Sequence, residues 1–176
     1  MILPTLLLRG QGWMLEKRKW IMRTILLSFD EKWYPALRNG DKIFEHRKKF
    51  CNEEVRAFLY LGKPRQQIVA EIGLSRRELL SDWLLQYQDD REVVARIQDF
   101  MQRNKFAMKV LWFKEIEPIS IVELQEKYPE LKIPISFHFL DNKPDVLKWL
   151  DANKQYTGYQ IENDFSDIRK DDICIL

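Results

Sequence analysis

The spacing of apolar positions changes period several times along this chain, and each change marks an element. Thr24-Ile25-Leu26-Leu27-Ser28-Phe29 is a short, branched apolar run and predicts a buried strand. Asp30 follows as a helix cap. Residues 31–39 then read as a short helix with Trp33, Tyr34 and Leu37 on one side, Pro35 in the first turn and Asn39-Gly40 as the stop. Lys42 to Lys48 reads as a strand. Val55 to Leu61 is the clearest strand, Gly62-Lys63-Pro64-Arg65 turns the chain, and Gln67 to Gly73 returns, which together make a hairpin.

From Ser75 the period becomes helical. Ser75 with Glu78 has the form of a capping box, and Leu79, Leu80, Trp83, Leu84 and Tyr87 follow on one face. After Asp89-Asp90 a second helix carries Val93, Val94, Ile97, Phe100 and Met101, and both stripes read as core-facing. Residues 106–117 return to strand character, and Ser120 to Tyr128 is a short helix. Lys132 to Phe139 is a strand that Pro134 confines to an edge or bulge. Pro144 to Leu150 is a helix with proline at its start. The tail from Gly158 carries five acidic and two basic residues and ends in Ile173-Cys174-Ile175-Leu176. It reads as an extension packed on the domain or partly frayed. Strict strand–helix alternation, a GxGxxG loop and a Walker loop are all absent, which disfavours a dinucleotide-binding sheet. The order of elements fits an α+β fold, a small mixed barrel with helices around it.

Composition narrows the function classes. The 176 residues include ten Phe, six Trp and six Tyr, which require a packed core. Lys and Arg number 29 against 27 Asp and Glu, so a strongly basic coat is excluded while a local basic patch is not. The two cysteines, Cys51 and Cys174, lie far apart and make neither a disulfide framework nor a CxxC site. With only His46 and His138, a His-rich zinc site is disfavoured, and neither metal nor cofactor is expected. Ile2 to Leu8 is too short to span a membrane and its charges follow it instead of preceding it, so a cytoplasmic, soluble protein without membrane association is expected. Met14 and Met22 each fit as the natural start, and a short basic helix over residues 1–22 is the other reading. The expected division is an extension over 1–22, a domain over 23–150 with a helical insertion at 75–105, and an acidic extension over 151–176.

The densest chemistry lies between Arg23 and Lys49, where seven positive residues face four negative ones. Within it, Gly40-Asp41-Lys42-Ile43-Phe44-Glu45-His46-Arg47 has the form GxKxxExR. Gly40 permits a positive-φ turn. Glu45 and Arg47 are two apart and share a strand face, whereas Lys42 has the opposite parity. All three can border one cleft only if Lys42 sits on the turn or a bulge intervenes. A purely internal Glu45–Arg47 ion pair with a solvated Lys42 is the competing reading. The motif, the preceding Leu-Leu-Ser strand end at Ser28, the hairpin around Lys63-Pro64 and Ile68 to Glu71, and Ile135-Ser136-Phe137 together resemble the ASCH domain (activating signal cointegrator homology). The resemblance runs from about Met22 to Leu140 and implies a PUA-like β-barrel with a cavity bordered by the motif.

Two functions follow from that resemblance. The first is binding of RNA or a nucleotide or nucleoside, with Ser28, Lys32, Gly40, Lys42, Glu45, Arg47, Lys63 and Ser136 as ligand-binding residues. Lys48, Lys49 and Arg65 are further candidates for charge around the mouth, and Tyr60 for stacking. The second is a small hydrolase acting on acetylated cytidine or RNA, with Lys42 and either Glu45 or Glu71 as catalytic residues. The small amidohydrolases of this kind carry Thr where this chain has Glu45. Cys51 with His46 lacks an orienting third group, His138 reads as structural, and Glu115 and Glu117 read as solvent-facing.

Overall fold

A computed structural model describes residues 22–175, and the expectations for residues 1–21 fall outside them. The strands are β1 (Arg23–Phe29), β2 (Phe44–Arg47), β3 (Val55–Leu61), β4 (Gln67–Leu74), β5 (Glu78–Leu79), β6 (Phe106–Ser120), β7 (Phe137–Phe139) and β8 (Tyr156–Glu162). The helices are α1 (Tyr34–Arg38), α2 (Leu80–Gln86), α3 (Arg91–Met101), α4 (Ile121–Lys127) and α5 (Pro144–Asn153). The α+β class and the mixed sheet are as the sequence predicts, but the barrel is open: the sheet curls into a half-barrel. Its order is β2-β6-β4-β3-β1-β7, with β5 and β8 also on β6. Among the described residues, only β1 with β3 pairs in parallel. None of the described helices is long and apolar enough to cross a membrane.

Central strands buried on both faces read as continuous apolar runs. In β1, Ile25, Leu27 and Phe29 enter one core, with Val55, Ala57 and Leu59 of β3 and Ile72 and Leu74 of β4. Leu26 of β1 and Phe58 of β3 point the other way, into a second core under α4 and α5 that includes Leu124, Val146 and Leu150. A third core joins the helical insertion to the sheet. Leu80 and Trp83 of α2 and Val93 and Ile97 of α3 pack on Phe44 and Ala107, with Ile173 and Cys174 of the tail beside them. Burying Val93 and Ile97 contributes roughly 1.5–3 kcal/mol each. This third core fixes α3 over β2, the short strand that carries Glu45 and Arg47 of the GxKxxExR motif.

Strand β6 organises the curl. Along one edge, β8 pairs with its C-terminal half and β2 with its N-terminal end. Asn163 N–H to the Leu111 carbonyl (3.0 Å) and Val110 N–H to the Ile43 carbonyl (2.8 Å) continue the ladder between them. The other edge carries β4 and then β5.

Several expectations are corrected. Ser75 and Glu78 form no capping box: Ser75 Oγ accepts from the Lys109 amide, and Glu78 lies in β5, its carboxylate accepting from the Trp83 indole. The helix begins only at Leu80, without a side-chain cap. Strand β2 starts at Phe44, not Lys42, and β7 keeps only Phe137–Phe139 at the sheet edge, because Pro134 can donate no ladder bond. Of the two readings of the tail, the structure has the packed one: β8 adds a strand to the sheet, and Ile173 and Cys174 are buried. Glu115 is not solvent-facing either. It accepts from Arg38 (2.6 and 3.1 Å), Tyr34 and Thr157, whereas Glu117 is exposed.

Candidate functional site

Besides Gly62 of the β3–β4 turn, five segments converge on a cavity of about 660 Å³ at the end of β1. They are the β1 end with Asp30, Lys32 and Trp33, the GxKxxExR segment, the C-terminal end of α3 with Phe100, Arg103 and Asn104, the loop at Ile135-Ser136, and Ile175 of the tail. The volume lies within the range of small-ligand sites.

The floor is built by the motif. Helix α1 ends at Arg38, and Gly40, with a φ of 78°, turns the chain so that Lys42 precedes the strand instead of joining its alternation. Lys42 therefore escapes its strand parity and reaches Glu45, Nζ to Oε2 being 3.5 Å. Glu45 is 5% exposed. Arg47, two residues on and on the same face, donates from Nε to Glu45 Oε1 at 2.7 Å. Both carboxylate oxygens thus face a cation. Arg47 also donates from Nη2 to the Ser28 carbonyl at 2.6 Å, and Lys42 to the Phe44 carbonyl at 2.7 Å. Arg carries five N–H donors and Lys three, so each cation keeps donors for a ligand.

The walls differ in chemistry. Trp33 stands beside the Lys32 ammonium, 5.1 Å from the ring centroid. Phe100 of α3 packs edge-on against the His46 ring, 4.7 Å between centroids. Burial, with the Lys42 charge adding to it, pushes the His46 pKa down to about 3, so the ring is neutral at pH 7. Its Nε2 lies 3.7 Å from Cys174 Sγ, whose own pKa burial raises to about 12. His46 Nδ1 is buried and has no partner among the described residues. Ile135 is fully exposed at the rim.

Of the sequence-predicted residues, Ser28, Lys32, Lys42, Glu45, Arg47 and Ser136 line this cavity. The Ser28 hydroxyl donates to the Pro134 carbonyl (2.5 Å) and its amide to the Ser136 carbonyl (2.8 Å). Ser28 is accordingly a clamp on the loop carrying Ile135. Gly40 does not line the cavity; it shapes the turn beneath it. Lys63 is exposed on the β3–β4 turn, next to Gly62, which does line the cavity. Among the mouth candidates, Lys48 lines the cavity, Lys49 and Arg65 do not, and Arg65 pairs with Glu31. Tyr60 is core. Glu71 lies elsewhere: it is 1% exposed and meets Arg56 (3.3 Å), Lys154 (2.7 Å) and the Tyr156 hydroxyl. Glu71 does not line the cavity that Lys42 borders. Sequence reasoning missed Trp33, His46, Phe100, Arg103 and Ile135 as cavity residues. Phe100 and Arg103, one helical turn apart, carried a weak signal, but which helix covers the site is a tertiary fact. Among the described residues, no cluster of His, Cys, Asp or Glu could hold a metal ion.

No family model and no curated protein matches the chain. Solved structures do. The chain is similar to an ASCH protein from Zymomonas mobilis, with a TM-score of 0.54 and 16% identity over 76% of this chain and 96% of that one. A serine-to-alanine variant of the Zymomonas mobilis protein gives a TM-score of 0.56 at 15% identity, covering 76% and 97%. A tyrosine-to-phenylalanine variant gives 0.54 at 15%, covering 76% and 99%. The fold is that of an ASCH domain.

Proposed function

We propose that the chain binds RNA or a nucleotide, with one nucleotide held in the cavity bordered by Lys42, Glu45 and Arg47. The supporting observation is the combination of a cationic floor with aromatic walls in one opening of nucleotide size. Free donors on Arg47 and Lys42 suit a phosphate or a base carbonyl. Trp33 and Phe100 offer faces for a base. The unpartnered Nδ1 of a neutral His46 can donate to or accept from a base edge, as its tautomer dictates. Lys32, Lys48 and Arg103 add charge at the mouth.

Binding is favoured over hydrolysis by the state of Glu45. A general base needs a carboxylate oxygen free to take a proton. Here Oε1 is held by Arg47 and Oε2 faces Lys42, and the side chain is buried. Glu45 serves to position the two cations.

The test is calorimetric titration of the protein with uridine monophosphate and short oligouridylate, with chromatography of the mixtures. The reading expects saturable, salt-sensitive binding, lost by about tenfold or more in Lys42→Ala, and no product. A new product peak from RNA or acetylcytidine that requires Lys42 would replace binding with hydrolysis. Absence of binding by the wild-type protein would overturn the reading.

A further inference from the structure

A second groove of about 630 Å³ runs beside the cavity. Lys48, Arg103 and Asn104 line both, so the two form one continuous depression. The second groove is lined by Lys48, Lys49, Arg77, Arg103 and Lys105 and by no carboxylate. Together cavity and groove display eight cations, those of the groove with Lys32, Lys42 and Arg47, against the two carboxylates Asp30 and Glu45. The whole chain carries only +2, so the rest of the sequence sums to −4 while these lining residues sum to +6.

These cations are also available. Among the described residues, none of Lys48, Lys49, Arg77, Arg103 and Lys105 takes part in an ion pair. Arg77 is held in place by its bond to the Phe50 carbonyl and lies over the Phe106 ring, 4.2 Å from the centroid. Leu79 and a partly exposed Met101 supply an apolar floor between the charges. The track stops where Glu78 and Asp82 begin to line the surface beyond Arg77 and Lys105.

We infer that this groove is a phosphate-backbone subsite: a single-stranded polynucleotide with one nucleotide in the cavity continues across the end of α3 towards Arg77 and Lys105. The inference rests on the nucleotide-binding reading of the cavity and extends it from a free nucleotide to a strand. A row of three ammonium and two guanidinium groups without ion-pair partners among the described residues suits a run of backbone phosphates, contacts that carry no base sequence.

The experiment compares uridine monophosphate with oligouridylate and oligodeoxyuridylate of about six nucleotides, read by fluorescence anisotropy across a salt series. The variants are Lys49→Gln/Lys105→Gln and Lys42→Ala. Both groove lysines are exposed, so the double variant is expected to melt as the wild type does. It should bind the oligonucleotides about tenfold more weakly, with the slope of log affinity on log salt reduced by about 1.4, while monophosphate binding is unchanged. A preference for the ribose strand assigns RNA as the source of the backbone; equal binding assigns the phosphodiester chain common to both. Unchanged oligonucleotide affinity and slope in the double variant would overturn the groove while leaving a Lys42-dependent cavity standing. A poly-glutamate peptide of equal charge that competes as well as the oligonucleotide would overturn it in favour of an acidic protein partner. Failure of every nucleotide to bind would overturn both readings.

Discussion

Removing the charge of Glu45 is the perturbation that the motif geometry predicts most sharply. The carboxylate is 5% exposed and sits between Arg47 Nε at 2.7 Å and Lys42 Nζ at 3.5 Å. The side chains of those cations are themselves only 16% and 11% exposed. In Glu45→Gln, two poorly hydrated cations face each other without a counter-ion, and their bonds to the Ser28 and Phe44 carbonyls oppose their escape to water. Breaking a buried ion pair from one side costs about 3–5 kcal/mol, and the near-isosteric amide places the expected loss at about 3 kcal/mol. At about 2–4 °C per kcal/mol for a chain of this size, melting should fall by about 6–12 °C. Lys42→Met leaves Glu45 with its closer partner and should cost only about 1 kcal/mol. The double variant leaves a single unpaired guanidinium, so its cost should fall short of the sum by about 1 kcal/mol or more. Urea unfolding with an unchanged denaturant slope measures all three. A loss below about 1 kcal/mol for Glu45→Gln, or simple additivity within about 0.5 kcal/mol, would refute the claim that this carboxylate holds both cations.

Three further predictions follow from other contacts. His46 is held neutral, its pKa depressed to about 3 chiefly by burial, so between that value and about 6.5 the unfolded chain binds the extra proton. Its contribution is complete above about pH 6.5 and declines as pH falls through that window, by up to about 1.4 kcal/mol per pH unit; urea unfolding of His46→Phe should show a flatter acid limb than the wild type, and an identical limb would contradict it. A Cβ at Gly73 would lie 2.3 Å from the Trp112 indole nitrogen, so Gly73→Ala should cost about 1–3 kcal/mol and shift tryptophan emission, whereas a silent substitution would mean the strands do not pair in this register. Ile135→Ser should leave stability within about 0.5 kcal/mol yet weaken nucleotide binding severalfold in titration, and unchanged affinity would remove Ile135 from the site.

The parts of the fold encoded by local pattern were legible. The apolar runs in β1, β3 and β4 are unbroken because both faces are covered, and Asp90 and Ser120 cap α3 and α4 as their sequence contexts indicate. The site was half legible. The parity of Glu45 and Arg47 gave their shared face, and Gly40 gave the turn that frees Lys42 from that parity. The rest depends on contacts distant in sequence. Nothing near Phe100 or Ile175 signals that α3 and the tail close over β2, and Pro134 hides the loop that Ser28 anchors 106 residues away. Strand β8 was obscured because it pairs by one edge and remains largely exposed, so its polar composition merges with the acidic segment that follows it. Glu115 was misread for a related reason: its partners Arg38 of α1 and Thr157 of β8 are distant in sequence.

The central claim is that Lys42, Glu45 and Arg47 border a pocket that receives a nucleotide. A crystal structure of the protein saturated with uridine monophosphate tests it most directly. The account predicts the nucleotide in this cavity, with a phosphate or base oxygen within hydrogen-bond distance of Arg47 or Lys42 and the base against Trp33 or Phe100. A nucleotide bound elsewhere on the surface, or a cavity holding solvent alone at saturating ligand, would contradict it.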